Sequence, residues 1–131
     1  MTLHILSEQN TVLNKFIAQI RDKRIQKDSM RFRRNMERIG EITAYEMRAC
    51  NIPWNFAPIL DLGADPRFPR QYEGFGEDPY LGSVLGRELV KGQEGDDNDV
   101  NHPEHVATCL KHFLGYSAVS YTHLRAHETL M

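Results

Sequence analysis

The chain has 131 residues, of which 40% are hydrophobic and 26% are charged, with a formal net charge of -2 and a mean hydropathy of -0.53. These values are typical of one globular domain and argue against a disordered chain, and no apolar run approaches the roughly 20 residues that cross a bilayer. The small net charge gives no electrostatic reason to expect binding to nucleic acid or to anionic lipid.

Two helices are predicted in the first part of the chain. Residues 11–25 and residues 31–49 both repeat apolar side chains at helical spacing. The second helix should end before Asn51-Ile52-Pro53, because proline cannot continue it. The apolar positions that carry this prediction are Val12, Leu13, Phe16, Ile17 and Ile20 in the first helix, and Met36, Ile39, Ile42 and Met47 in the second.

A basic segment spans the junction between these helices. Residues Arg21 to Arg38 include eight basic and three acidic side chains. We interpret the segment as a solvated helix face. The alternative is a nucleic-acid-binding patch, but the segment carries no recognised nucleic-acid-binding motif.

A strand–helix–strand unit follows. Residues 55–62 (NFAPILDL) and 106–114 (VATCLKHFL) are short apolar runs, typical of strands buried on both faces. Between them, Asp78 and Pro79 suit the N-cap and first position of a helix, which Gly92 and Gly95 should end. This order predicts a βαβ unit with a parallel strand pair, and therefore an α/β fold.

The loop between the first strand and this helix, DPRFPRQYEGFGEDPY, concentrates polar and aromatic side chains. In parallel α/β folds, binding residues gather at the carboxyl ends of the strands. We therefore expect Arg70 from the loop to lie near Lys111 and His112 at the end of the second strand. A set of donors, acceptors and aromatic faces suits a sugar. The acceptors would be Asp61, Glu73, Glu77 and Asp78, and the aromatic faces Tyr72, Phe75 and Tyr80.

The loop arginines have a second interpretation that the spacing leaves equally open. Arg67 and Arg70 would pair with neighbouring carboxylates and only hold the loop in shape. A metal site is not predicted. His102, His105, Cys109 and His112 include zinc-ligand types, but Cys109 and His112 would lie on opposite faces of a strand.

The run NFAPILDLGADPRFPRQYEGFGEDPYL, followed by VATCLKHFLGY, resembles glycoside hydrolase family three, which contains β-glucosidases and β-xylosidases. The resemblance extends from about Glu37 to Tyr116. It implies that residues 36–117 form part of a (β/α)8 TIM-like barrel, with one clear βαβ unit and the preceding helices. Residues 1–35 match the family poorly. Residues 118–131 resemble translated sequencing-adapter read-through, and we expect them to be a non-native tail.

The resemblance also implies roles for individual residues. Arg70 matches the loop arginine that contacts sugar hydroxyls in the first subsite. Lys111 and His112 match the lysine–histidine pair that holds the same sugar, and Glu73 would be a supporting carboxylate. The implied activity is that of an exo-acting, retaining β-glycosidase, with β-glucosidase favoured. Its substrate would be a β-linked glucoside or oligosaccharide, and it would need no metal or organic cofactor.

The catalytic carboxylates of the family are not found in this sequence. The family's nucleophile is an aspartate in an S-D-W-like motif downstream, whereas Trp54 is the only tryptophan here and follows proline. We therefore expect no catalytic residue in this chain, and an inactive product that is part of a longer protein. Two alternatives stay open, a non-catalytic sugar-binding module and a nucleic-acid binder that uses residues 21–38. No secretory signal is visible in MTLHILSEQN. The compartment of the longer protein is nevertheless left open, and a periplasmic or secreted parent stays among the alternatives.

Overall fold

A computed structural model describes residues 11–112, 116 and 117 of the chain. The predicted α/β class is confirmed, because the two strands pair in parallel and a helix connects them. No helix in this described part is long and apolar enough to cross a membrane. The elements in chain order are α1 (Val12–Arg21), α2 (Ser29–Ala49), β1 (Trp54–Asn55), a single 3-10 turn (Gln71–Glu73), α3 (Pro79–Glu94) and β2 (Ala107–Thr108).

Helix α1 is shorter than the predicted 11–25. It begins after Thr11, whose hydroxyl accepts the N–H of Asn14 at 3.3 Å. It ends at Arg21, because the carboxylate of Asp22 accepts the N–H of Arg24 at 2.8 Å. A side-chain acceptor of this kind competes with the helical carbonyl for the backbone donor and favours a turn.

Helices α2 and α3 pack against each other through glycine. Gly40 on α2 and Gly92 on α3 lie at the contact, and a Cβ on Gly40 would stand 2.6 Å from the carbonyl oxygen of Leu89. A Cβ on Gly92 would collide with the carbonyl oxygen of Glu37. The prediction that Gly92 ends the helix was therefore wrong, since its missing side chain serves packing. Helix α3 ends at Glu94 and is capped by Gly95, where φ is +78°.

The strands are shorter than predicted. The run 55–62 forms a strand only at its start, and pairing resumes at a single bridge between Ile59 and Lys111. Between the two pairings the segment that follows β1 contains one residue more than the segment that follows β2, because Trp54 opposes Ala107 while Ile59 opposes Lys111. Pro58 lies within this bulge and has no N–H to donate to the ladder. Of the predicted strand 106–114, residues 113 and 114 lie outside the described residues.

The end of α3 holds both strands in place. The side chain of Gln93, which is 1% exposed, accepts the amide of Asn55 at 2.6 Å. Its backbone carbonyl accepts the N–H of Val106 at 2.9 Å. Glu94 accepts both the N–H and the hydroxyl of Thr108, at 2.9 and 2.5 Å. These bonds align the strands, so that the segments following both strands leave the sheet on the same side.

Candidate functional site

The loop that follows β1 folds back onto the strand end. The N–H of Gly63 donates to the carbonyl of Gly76 at 2.9 Å and closes the loop at its base. The side chain of Gln71 donates to the carbonyl of Gly63 at 3.0 Å. A Cβ on Gly74 would lie 2.7 Å from the carbonyl oxygen of Asp61, so glycine is what allows this close approach.

Both loop arginines pair with carboxylates, as the second interpretation expected. Arg67, whose side chain is largely exposed, holds the half-buried carboxylate of Asp65 at 2.7 Å, and hydrogen bonds from its guanidinium lower the pKa of Asp65 to about 2. Arg70 binds Glu73 through two parallel bonds of 2.7 and 2.6 Å. The side-chain hydrogen bond from Arg70 is the main reason that the pKa of Glu73 is lowered. Arg70 differs from Arg67 because it also reaches the second strand.

Arg70 contacts His112, as the βαβ topology predicted. Its Nη1 lies 2.9 Å from Nε2 of His112. The other ring nitrogen, Nδ1, lies 2.8 Å from the carboxylate of Asp61. Together, Asp61, His112, Arg70 and Glu73 form a continuous chain of side chains across the carboxyl ends of the two strands, which we call the strand-end network. Its members come from the end of the first apolar run, the loop and the end of the second apolar run.

Two aromatic rings cover one side of this network. Tyr116 packs against the ring of His112 with a centroid distance of 4.8 Å. Phe68 meets Tyr116 edge to face at 5.3 Å. This packing restricts rotation of the His112 ring and covers one of its faces.

Lys111 lies beside the network. Its backbone is held by the bridge to Ile59, with Lys111 N–H donating to Pro58 at 3.1 Å. The peptide bond between Lys111 and His112 is cis. No side chain in the described part of the chain forms a hydrogen bond or ion pair with the Lys111 ammonium, but its charge contributes to lowering the pKa of Glu73. With respect to the described residues, the ammonium is therefore a donor available for a ligand.

The remaining predicted site residues do not join the network. Asp78 is the N-cap of α3 and accepts the N–H of Tyr80 at 2.8 Å. Tyr72 and Tyr80 are 84% and 73% exposed. Phe75 lies next to Gly86 of α3. The described residues thus bring the predicted donors together, but the aromatic rings beside them are Tyr116 and Phe68 and not the predicted Tyr72, Phe75 and Tyr80.

Sequence reasoning included Asp61 among the acceptors but missed its contact with His112. Its side chain is 3% exposed, and its carboxylate also faces the backbone N–H of His112 at 3.4 Å. The available signal was its position, since it directly follows an apolar strand-like run and lies opposite Lys111 and His112 in a parallel pair.

The strand-end network is suited to binding a neutral ligand rich in hydroxyl groups. Each terminal nitrogen of Arg70 keeps one N–H that no described residue accepts. Lys111 adds its ammonium group. The nearby carboxylates of Asp61 and Glu73 are engaged by His112 and Arg70. No group of three metal-ligating side chains is arranged for a metal ion within residues 11–112 and 116–117.

The basic segment carries ion pairs of its own. Arg24 pairs with Asp22 at 3.1 Å, and Arg38 pairs with Glu41. Both arginine side chains are largely exposed. Part of the positive charge that defines this segment in the sequence is therefore offset by neighbouring carboxylates.

Comparison with known proteins relates most of the chain to one family. Residues 16–129 match the family model described as the glycosyl hydrolase family 3 N terminal domain. Over 82 residues, the chain is 44% identical to a lysosomal beta glucosidase of Dictyostelium discoideum, and the matched stretch covers 60% of this chain and 10% of that protein. Over 81 residues, it is 40% identical to a periplasmic beta-glucosidase of Salmonella typhimurium, and the matched stretch covers 62% of this chain and 10% of that protein.

Solved structures give the same relation. The beta-glucosidase from Listeria innocua, whose structure is also known in complex with glucose, superimposes with a TM-score of 0.64 at 40% identity. The match covers 67% of this chain and 12% of that protein. The chain thus spans about a tenth of the length of the proteins it matches.

A shorter similarity points to another class of enzyme. A stretch of 42 residues is 50% identical to a uracil phosphoribosyltransferase of Porphyromonas gingivalis. It covers 32% of this chain and 19% of that protein. The chain therefore also carries a local sequence similarity to a protein of a different class.

Proposed function

Because the chain belongs to the glycosyl hydrolase family 3 N-terminal domain family, we propose that it supplies part of the sugar-binding wall of a β-glycosidase. The activity of the longer protein would be the exo-acting hydrolysis of β-linked glucosides or oligosaccharides with retention, with β-glucosidase favoured. The observation that carries the proposal is the strand-end network, in which Arg70 and His112 meet at the carboxyl ends of two parallel strands.

Residues 36–117 would form part of a (β/α)8 barrel. One parallel βαβ unit with the preceding helices accounts for a fraction of such a barrel, which takes about 250 residues in full. The position of the network supports this view, since barrel enzymes bind substrates at the carboxyl ends of their strands.

Arg70, Lys111 and His112 would form the wall that faces the sugar. The free N–H groups of Arg70 and the ammonium of Lys111 would donate to hydroxyl oxygens, and Glu73 would keep the guanidinium in a fixed plane through its two bonds. A hydrogen bond between a charged group and a hydroxyl contributes about 1.5–3 kcal/mol. The guanidinium of Arg70 starts from a fixed position, so little conformational entropy is lost when its N–H groups bind the sugar.

The chemical step would depend on carboxylates outside this chain. Retaining hydrolysis uses two carboxyl groups roughly 5–5.5 Å apart, one as nucleophile and one as acid and base. Asp61 and Glu73 are both engaged in the strand-end network, and the sequence contains no S-D-W-like motif. We propose that the longer protein supplies both catalytic groups, and that this chain by itself does not hydrolyse an aryl β-glucoside. Clear turnover by the purified chain would contradict this part of the proposal.

A chimera tests the binding role. Residues 36–117 would replace the matching segment of the Listeria innocua beta-glucosidase, to which the chain is 40% identical. We expect the chimera to hydrolyse an aryl β-glucoside, and Lys111→Ala to lower its kcat/KM by about 10- to 100-fold, the equivalent of one hydrogen bond to a charged group.

Arg67→Ala is the matched control, because Arg67 belongs to the same loop, is largely exposed and, among the described residues, pairs with Asp65 and not with the strand-end network. Its kcat/KM should stay within about twofold of the unmodified chimera, since exposed ion pairs contribute little. If the Lys111 and Arg67 variants have equal kcat/KM values, Lys111 does not bind the sugar.

A further inference from the structure

Asp61 carries a buried carboxylate that the function proposed above does not use. Its side chain is 3% exposed, whereas the His112 side chain beside it is 33% exposed. A buried carboxylate is stable only when hydrogen bonds replace its lost hydration. The described donors to Asp61 are both in His112, the ring Nδ1 at 2.8 Å and the backbone N–H at 3.4 Å.

The partners of His112 define which ring nitrogen carries the proton. Arginine is always protonated and has no acceptor, so Nη1 of Arg70 must donate and Nε2 of His112 must accept. The ionised carboxylate of Asp61 has only acceptors, so it independently requires Nδ1 of His112 to carry a hydrogen and donate it. This arrangement leaves His112 neutral, with both of its ring nitrogens engaged.

We propose that Asp61 is a positioning residue, which holds His112 in the Nδ1–H tautomer and through it fixes the guanidinium of Arg70. Arg70 is then fixed from both sides, by Glu73 at Nε and Nη2 and by His112 at Nη1. The consequence for a sugar rests on the function proposed above. In that setting His112 would act on the sugar through Arg70, while Arg70 and Lys111 make the direct hydrogen bonds.

The test is the protonation pattern of the histidine ring in the full 131-residue chain, labelled with ¹⁵N and measured by NMR without sugar at a pH above neutral. We expect Nδ1 of His112 to give a protonated signal and Nε2 an unprotonated one. In Asp61→Leu this pattern should be lost, with Nε2 becoming protonated in a substantial fraction of molecules. The pattern should be retained in Asp65→Asn, the matched control on a half-buried aspartate of the same loop that pairs with Arg67.

Arg70→Gln separates the two neighbours of His112 and remains informative if Asp61→Leu does not fold, since the Arg70 side chain is 32% exposed. If Asp61 selects the tautomer, the Arg70→Gln chain keeps a protonated Nδ1. If Arg70 selects it, Arg70→Gln loses the pattern, and the proposal is overturned. An unchanged pattern in a folded Asp61→Leu chain would also overturn it. Because no sugar is present, these outcomes are independent of the chimera experiment, whose failure would affect only the proposed function.

Discussion

The α2–α3 contact and the strand-end network are built on opposite physical principles. At the helix contact, two backbones approach because Gly40 and Gly92 have no side chains. At the strand ends, charged side chains and a histidine ring are brought together and form hydrogen bonds with one another over distances of 2.6–2.9 Å. The first region contributes close packing and therefore stability. The second contributes hydrogen-bond donors in fixed positions, which suit the binding of a ligand.

Burial separates the network from the ion pairs of the helical region. Arg38 and Glu41 on α2 are 60% and 40% exposed, so their attraction is weakened by water and salt. Asp61 is almost fully buried, and its contacts are screened much less. Charge alone is therefore a poor guide to function in this protein, since the most basic segment of the sequence holds ordinary surface pairs.

The largest effect on stability is expected at the helix contact. Gly92→Ala would force a Cβ into the backbone of Glu37, which cannot move as a flexible side chain would. We expect the free energy of unfolding to fall by about 3 kcal/mol, the upper range for overpacking. Urea unfolding of the full chain measures this change.

Gly82→Ala is the control, since Gly82 also lies in α3 but its nearest potential contact is 4.0 Å away. Alanine there should stabilise the helix by about 0.5–1 kcal/mol. A Gly92 variant as stable as the Gly82 variant would show that the two helices do not need this close approach.

A smaller effect is expected where the loop meets α3. Asp78→Ala removes the N-cap that accepts the N–H groups of Tyr80 and Leu81 at 2.8 and 3.4 Å. Loss of such a cap costs about 1 kcal/mol of stability. Asp78→Asn, which keeps a capping oxygen, should recover most of the loss in the same urea measurement. If the Asp78→Asn and Asp78→Ala variants have the same free energy of unfolding, the carboxylate has a role other than capping.

The smallest effect is expected at the Asp65–Arg67 pair, whose arginine is largely exposed, and only in acid. The pKa of Asp65 is lowered from 3.8 to about 2 by the hydrogen bonds of Arg67. A carboxyl group with a lowered pKa in the folded state stabilises the fold above its unfolded pKa, and this contribution is lost as the pH falls toward about 2. In Asp65→Asn, the free energy of unfolding should therefore fall less steeply as the pH is lowered from 3.8 to about 2. Glu77→Gln, an exposed change in the same loop, is the comparison, and identical profiles for the two variants would contradict the assignment.

Much of the fold was readable from local sequence. Asp78 followed by Pro79 correctly predicted the start of α3, because capping and proline geometry involve only neighbouring residues. The two apolar runs correctly predicted a parallel pair with a helix between its strands. Their lengths were wrong, because the bulge near Pro58 depends on how the two strands meet.

Gly92 shows the limit of reading glycine locally. In sequence it resembles a helix end, as Gly95 does, and only one of the two has positive φ. The difference arises from α2, which lies against Gly92 and leaves no space for a side chain. A residue more than fifty positions away in the chain therefore decides what this glycine does.

The sequence by itself determined which residue types are available at the strand ends, and the parallel topology was enough to place Arg70 near His112. Only the tertiary structure decided how these side chains are paired, with Asp61 on one ring nitrogen of His112 and Arg70 on the other. The physical reason is that hydrogen-bond pairing is decided by differences of a few tenths of an ångström in the distance between donor and acceptor, and by which groups lose contact with water. Residue spacing along the chain specifies neither quantity.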